Sequence, residues 1–264
     1  MVQDPGEAGP RVGVSACLLG DTVRYDGTHR RVDWLTGVLG RHVRFVAVCP
    51  EMEAGLGVPR EPVRLEGDPP RMIGFDSGRD ATPAMTRVAQ VRIRGFRRLD
   101  LAGYVFKKGS PSCGPDRVPW FTAGFSTPED ESGPGLFAGA VMREFPFMPA
   151  VDEDLLERPG MRTSFAVRVF LHACWRRFAV RRYSLGALRE FNAVHRALIA
   201  ELDPVAAQAL DQQLRGARLD ADSARARFAR VFHRALDRPM DRAAVTGTLE
   251  CPRCRRWESV KRAA

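Results

Sequence analysis

Three short apolar runs each empty into a polar loop that carries a cysteine. Residues 12–16 lead to Cys17, residues 45–48 to Cys49, and residues 101–106 to the loop K-K-G-S-P-S-C-G, residues 107–114, which holds Cys113. Runs this short and apolar throughout suit strands buried on both faces, as in a parallel sheet covered by helices. Such a sheet gathers the carboxyl ends of its strands on one edge, where ligands bind. The three thiols, 32 and 64 residues apart in sequence, are therefore expected to meet at one rim.

The intervening segments fit that arrangement. Residues 28–40 place Val32, Leu35 and Leu39 at helical spacing, which predicts the first crossover helix. Residues 63–65 and 72–75 read as short edge strands. Thr82-Pro83 is a helix start, and the helix should run to Leu99 with Met85, Val88, Ala89 and Ile93 inward. Residues 117–135, rich in Gly, Pro, Asp and Glu, read as a mobile loop, and residues 135–144 as a helix closing the first domain. Residues 145–156 look like an extended linker. Beyond it the pattern is helical over residues 162–178, 185–202, from Asp203-Pro204 through Leu214, and 222–238. The expected fold is α/β, with a Rossmann-like parallel sheet in residues 1–145, a linker at 146–160 and an all-α domain at 161–264.

The formal charge of +9 is uneven: residues 1–150 hold 19 basic and 18 acidic side chains, residues 151–264 hold 22 and 14. A basic excess in one segment points to a polyanion. Arg227, Arg230, Arg234 and Arg238 follow one flank of the last helix and suit phosphates, or equally a solvated face. The start of the chain shows no secretory signal, and no run reaches the roughly 18 apolar residues of a membrane span. A cytoplasmic protein is expected, with cysteines free, metal-bound or catalytic.

Three convergent thiols suit an iron–sulfur cluster or a soft metal. Three cysteines, where a cluster takes four, would leave one iron open as a Lewis acid. Zinc competes, although its ligands come in closely spaced pairs, and unliganded thiols packed as small hydrophobes are the remaining reading. Glu51 lies two residues after Cys49, while Ser110 and Ser112 sit beside Cys113 and Lys107 leads the loop. A carboxylate, an ammonium and two hydroxyls supply acid–base partners. Lysine is rare here, three of 41 basic residues, and its ammonium can give up a proton where guanidinium cannot. Cys251-Pro252-Arg253-Cys254 is half of a zinc-ribbon pattern, Cys174 reads as core, and His195 as a histidine satisfied at a helix interface.

At these residues the sequence resembles a known family. S-A-C-L-L-G with R-Y-D-G, then C-P-E-M-E-A-G-L-G-V-P-R-E-P, then K-K-G-S-P-S-C-G resemble the three motifs of TudS-type thiouracil desulfidases, over about residues 10–145. More weakly, residues 146–250 are similar to the helical YbgA-type domain of RudS-like fusions, departing from it at Asn192 (for histidine) and Arg196 (for lysine). The resemblance implies that Cys17, Cys49 and Cys113 hold a 4Fe-4S cluster with one iron free of protein ligands. From the chemistry of the side chains beside the cysteines, Glu51 or Lys107 is expected to help water attack, with Ser110 and Ser112 positioning the base or a water, and Arg24, Tyr25, Asp26 and Arg60 are expected to bind substrate. The expected reaction is non-redox: water replaces the sulfur of 4-thiouridine in tRNA, and the helical domain holds the RNA through Arg196, Arg227, Arg230 and Arg234. The alternatives are a free thiouracil or thiolated nucleotide as substrate, or an RNA-binding protein with a structural or redox-sensing cluster.

Overall fold

The structure, a computed structural model, describes residues 9–122, 128–158, 160–179, 184–215 and 220–237. The described residues divide between two compact units, one spanning Arg11–Leu155 and one beginning at Leu156. The Cys251–Cys254 pair and Arg238 lie outside the described residues.

In the first unit, β1 (Arg11–Ser15), β2 (Arg44–Val48), β5 (Leu101–Phe106) and β8 (Ala150–Asp152) form an all-parallel sheet in the order β2-β1-β5-β8. Every residue of β5 is buried, as its continuous apolar run requires. The 18-residue helix α3 (Thr82–Leu99) starts with Pro83 in its first turn and ends at Asp100, whose φ of 55° puts it in the left-handed region. With α4 (Leu136–Glu144) it covers a core in which Tyr104 stacks on Phe106, ring centroids 4.1 Å apart, and meets Phe96 and Phe137 edge-on. The Tyr104 ring fills the space over Gly13, where an added Cβ would lie 2.2 Å from Cδ2. That approach is why β1 carries a glycine.

Three segments differ from expectation. The first crossover helix is only α1 (Asp33–Gly37), followed by a 3-10 turn at Leu39–Arg41. Upstream of it the chain is committed elsewhere, since the Arg30 and Val32 amides donate to the carbonyls of Cys17 and Leu18. Residues 63–74 form a hairpin, β3 (Val63–Glu66) and β4 (Arg71–Gly74), in a second sheet ordered β4-β3-β6-β7. Its other strands, β6 (Val118–Phe121) and β7 (Pro128–Gly133), fall in the stretch read as a loop, because pairing at short strand edges overrides a Gly- and Pro-rich composition. Finally, residues 145–155 are not a linker: β8 extends the parallel sheet, Tyr104–Phe106 pairing with Ala150–Asp152. Its three residues are too few to show a periodicity.

The second unit has the four expected helices: α5 (Met161–Ala179), α6 (Leu185–Leu202), α7 (Pro204–Arg215) and α8 (Ala221–Asp237). Ser184 caps α6 by accepting from the Ala187 amide at 3.2 Å, and Asp203 does the same for Ala206 ahead of α7 at 3.0 Å. Trp175, Phe191, Phe228 and Phe232 form its aromatic centre. Cys174 is half-buried, and buried His195 keeps its Nδ1 2.8 Å from the Phe191 carbonyl. Among the described residues, no helix is long and apolar enough to cross a membrane.

Candidate active site

The carboxyl ends of β1, β2 and β5 open onto one cavity of about 310 Å³, and Cys17, Cys49 and Cys113 all line it. Cys17 sits in a 3-10 turn, Ala16–Leu18, directly after β1. Cys49 precedes α2 (Pro50–Glu53) directly after β2 and directs its thiol toward the Val23 carbonyl at 3.7 Å. Cys113 lies in the loop after β5, its amide donating to Ser110 Oγ at 3.1 Å. All three are free thiols. Burial pushes the Cys17 thiol up to about 11, with Lys107 opposing it, and pushes Cys113 well above the ordinary thiol range, assisted by the Glu51 carboxylate. Burial also raises Cys49, whose charge acts on both other thiols. Three desolvated sulfurs that sense one another form a soft, cation-seeking donor set.

Glu51, in α2, is buried against the same cavity. Arg60 grips one of its oxygens, Oε2, from Nε at 2.9 Å and Nη2 at 2.6 Å. The remaining donors of Arg60 reach the carbonyls of Gly57 (2.7 Å) and Val23 (3.0 Å), so this guanidinium is consumed in holding the carboxylate and its loop. The other oxygen, Oε1, accepts from Ser112 Oγ at 2.6 Å. Ser110 Oγ lies 3.0 Å from Ser112 Oγ and accepts the amides of Ser112 and Cys113. Each hydroxyl has one proton, so the consistent direction runs Ser110 to Ser112 to Glu51.

The Lys107 ammonium lines the cavity, paired with Glu153 and donating to the Lys108 carbonyl at 2.8 Å. Glu153 follows β8, and its second oxygen takes the Lys108 amide at 2.7 Å. The Lys107 amide donates to Ser15 Oγ at 3.0 Å, and the Ser15 hydroxyl works against the upward shift of the Cys113 thiol. Sequence reasoning missed Ser15 and Glu153. One lies inside an apolar run, as the last residue of β1; the other lies in the supposed linker, 46 residues from its lysine.

Arg24 and Tyr25 line the cavity too, the guanidinium 5.8 Å from the ring centroid. Asp26 is not among the lining residues; it closes the turn by accepting both the amide (3.0 Å) and the hydroxyl (2.6 Å) of Thr28, which holds its carboxyl below the usual range. In the helical unit, Arg227, Arg230 and Arg234 are exposed along α8. Arg196 instead pairs with Asp211 at 2.7 Å, an aspartate that also takes the Asn192 amide at 2.8 Å.

Among the described residues no group of three or more His, Cys, Asp or Glu side chains is placed to hold one metal ion. That bears on mononuclear sites, since each thiolate of a cubane binds a different iron and the ligands stand farther apart.

The family described as 2-thiouracil desulfurase matches residues 12–153, the end of that match falling on Glu153. The chain is 29% identical over 108 residues to YbbK of Bacillus subtilis (strain 168), described as an uncharacterized protein, covering 38% of this chain and 71% of YbbK. It is 32% identical to a solved structure described as the 4Fe-4S-dependent thiouracil desulfidase TudS, covering 56% of this chain and 93% of that one, with a TM-score of 0.47.

Proposed function

The chain belongs to the 2-thiouracil desulfurase family, and on that premise we propose that it is an iron–sulfur-dependent, non-redox desulfidase that converts 4-thiouridine in tRNA to uridine with release of sulfide. The observation that carries the reading is the lining of one cavity by three free thiols, two of them buried and Cys49 half-buried, with the Arg60-held Glu51, Ser112 and Lys107. This donor set fits a 4Fe-4S cluster held by Cys17, Cys49 and Cys113, with one iron unligated by protein. When bound, the cluster supplies a Lewis acid that polarises the thiocarbonyl.

The protein's own groups supply the rest. In the reaction water adds to the thiocarbonyl carbon as the C=S π bond opens; the remaining C–S σ bond then breaks as the C=O double bond forms, and sulfur leaves as hydrosulfide, so no electrons are exchanged with a partner. Glu51 is the proton acceptor for the attacking water, reached directly or through Ser110 and Ser112. Arg60 is a positioning residue that fixes which carboxylate oxygen faces Ser112. The Lys107 ammonium, steadied by Glu153, stabilises negative charge developing on the departing sulfur. Arg24 and Tyr25 meet the substrate at the rim, and Arg227, Arg230 and Arg234 of α8 take RNA phosphates.

Anaerobically reconstituted protein incubated with thiolated tRNA should convert 4-thiouridine to uridine with equimolar sulfide and no added reductant. Salt-sensitive tRNA binding with intact 4-thiouridine would leave a binding protein in its place. Turnover of 4-thiouracil but not of tRNA would move the substrate to the free base.

A further inference from the structure

We propose that the solvent face of α3 is an RNA-contacting surface, on which Arg87, Arg94 and Arg98 take strand phosphates and Gly95 lets the strand come close to the helix. The inference rests on the tRNA reading and adds to it a contact away from the cavity, since none of these four residues lines it.

The charge of α3 is one-sided. Thr82–Leu99 contains five arginines and no Asp or Glu. An ordinary solvated helix face mixes the two signs, because opposite charges at steps of three or four stabilise it and like charges do not. The even balance of residues 1–150, 19 basic against 18 acidic, hides this segregation. Carboxylates from neighbouring elements take two of the arginines: Glu53 holds Arg92 at 2.6 Å, and Glu144 pairs with Arg97. Arg87, Arg94 and Arg98 are exposed and, among the described residues, have no carboxylate partner. At steps of seven and four they fall on one line along the helix, about 16 Å from first to last. The helix dipole favours positive charge in the last turn, which accounts for Arg98 but for neither Arg87 nor Arg94. The stripe thus carries a self-repulsion that a bound polyanion removes.

Gly95 gives an independent indication. A glycine inside a helix weakens it relative to alanine, and here no packing requires one: among the described residues, an added Cβ would stand in open space. Gly95 borders the stripe, four residues after Val91 and three before Arg98. A bare backbone at that point suits a close approach by something outside the chain. RNA fits better than a lipid surface. The apolar side of α3 is spent on the core, where Met85, Val88, Ala89 and Phe96 are buried, so little is left to enter a bilayer. Guanidinium forks, in contrast, match phosphate oxygens two at a time.

The test uses the full chain and unmodified, labelled tRNA, with affinity read by fluorescence anisotropy over a series of salt concentrations. Replacing Arg87, Arg94 and Arg98 together by glutamine should weaken binding about 10-fold or more at near-physiological salt and lower the salt slope by about 2 to 3. Replacing the same three by lysine should keep the slope. Gly95→Ala should raise the urea midpoint, because alanine is the better helix former, and still weaken tRNA binding by about threefold or more. A purely structural role for this face would not move stability and binding in opposite directions. Unchanged affinity and slope in the triple glutamine variant, or unimpaired tRNA binding by Gly95→Ala, would overturn the proposal. So would a loss confined to phosphatidylserine vesicles, which would assign the face to a membrane. Failure of the unmodified chain to release sulfide from thiolated tRNA would defeat the desulfidase reading instead, and the binding comparison would still decide the role of α3.

Discussion

Arg60 and Glu51 form the most buried ion pair at the cavity, with side-chain exposures of 6% and 11%. Such a pair is expensive to break from one side, because the remaining charge stays buried without compensation. Arg60→Met should therefore lower unfolding free energy by about 3 kcal/mol in urea titrations and also depress turnover, since Glu51 would no longer be held toward Ser112. Ser112→Ala removes the 2.6 Å contact to Oε1 and the link from Ser110, together with a long contact to the Cys113 sulfur at 3.6 Å, so it should cut kcat about 100-fold while cluster content and KM hold. Normal turnover by a fully loaded Ser112→Ala protein would remove the relay. Glu51, Ser110, Ser112 and Lys107 were legible in the sequence because each lies within six residues of a cysteine. Ser15 also stands two residues from Cys17, but its role, like that of Glu153, lies in a contact with residue 107, 92 and 46 residues away respectively, a relation that only strand pairing creates.

At the scale of elements, the parallel sheet explains both the success and the failures of the sequence reading. Its three continuous apolar runs announced themselves, and their ends brought the thiols together as the edge rule for parallel sheets requires. The elements that went unread are short or polar: β6, β7 and the three residues of β8 gain their structure from the neighbours they pair with. The same dependence fixes Gly13. Gly13→Ala would drive a methyl into the fully buried Tyr104 ring, itself stacked on Phe106, so neither can yield. A loss of about 3 kcal/mol in chemical denaturation is expected, and a change below about 1 kcal/mol would show that the β1–β5 packing is looser than described.

For the molecule as a whole, the helical unit carries its own pH signature. His172 is held down to about 3 and His233 to about 4, burial being the main cause in both, with neighbouring positive charge adding to it. The unfolded chain binds these protons near pH 6.5 and the folded chain does not, so their contribution to stability is complete above about pH 7 and is lost progressively as pH falls toward 4 and then 3. Denaturation midpoints followed by circular dichroism should fall over that range, and His172→Leu should flatten the fall. If α8 binds tRNA, replacing Arg227, Arg230 and Arg234 by glutamine should weaken binding and lower the salt slope by roughly three contacts' worth.

The central claim is that Cys17, Cys49 and Cys113 act together on one cluster. Iron and acid-labile sulfide per chain, counted after anaerobic reconstitution, test it most directly. The account predicts about four of each for the unmodified protein and for Cys174→Ser, with loss of the cluster or of its stability in Cys17→Ser, Cys49→Ser and Cys113→Ser. An unmodified chain that takes up no iron, or a loss in Cys174→Ser equal to that in the three others, would contradict it.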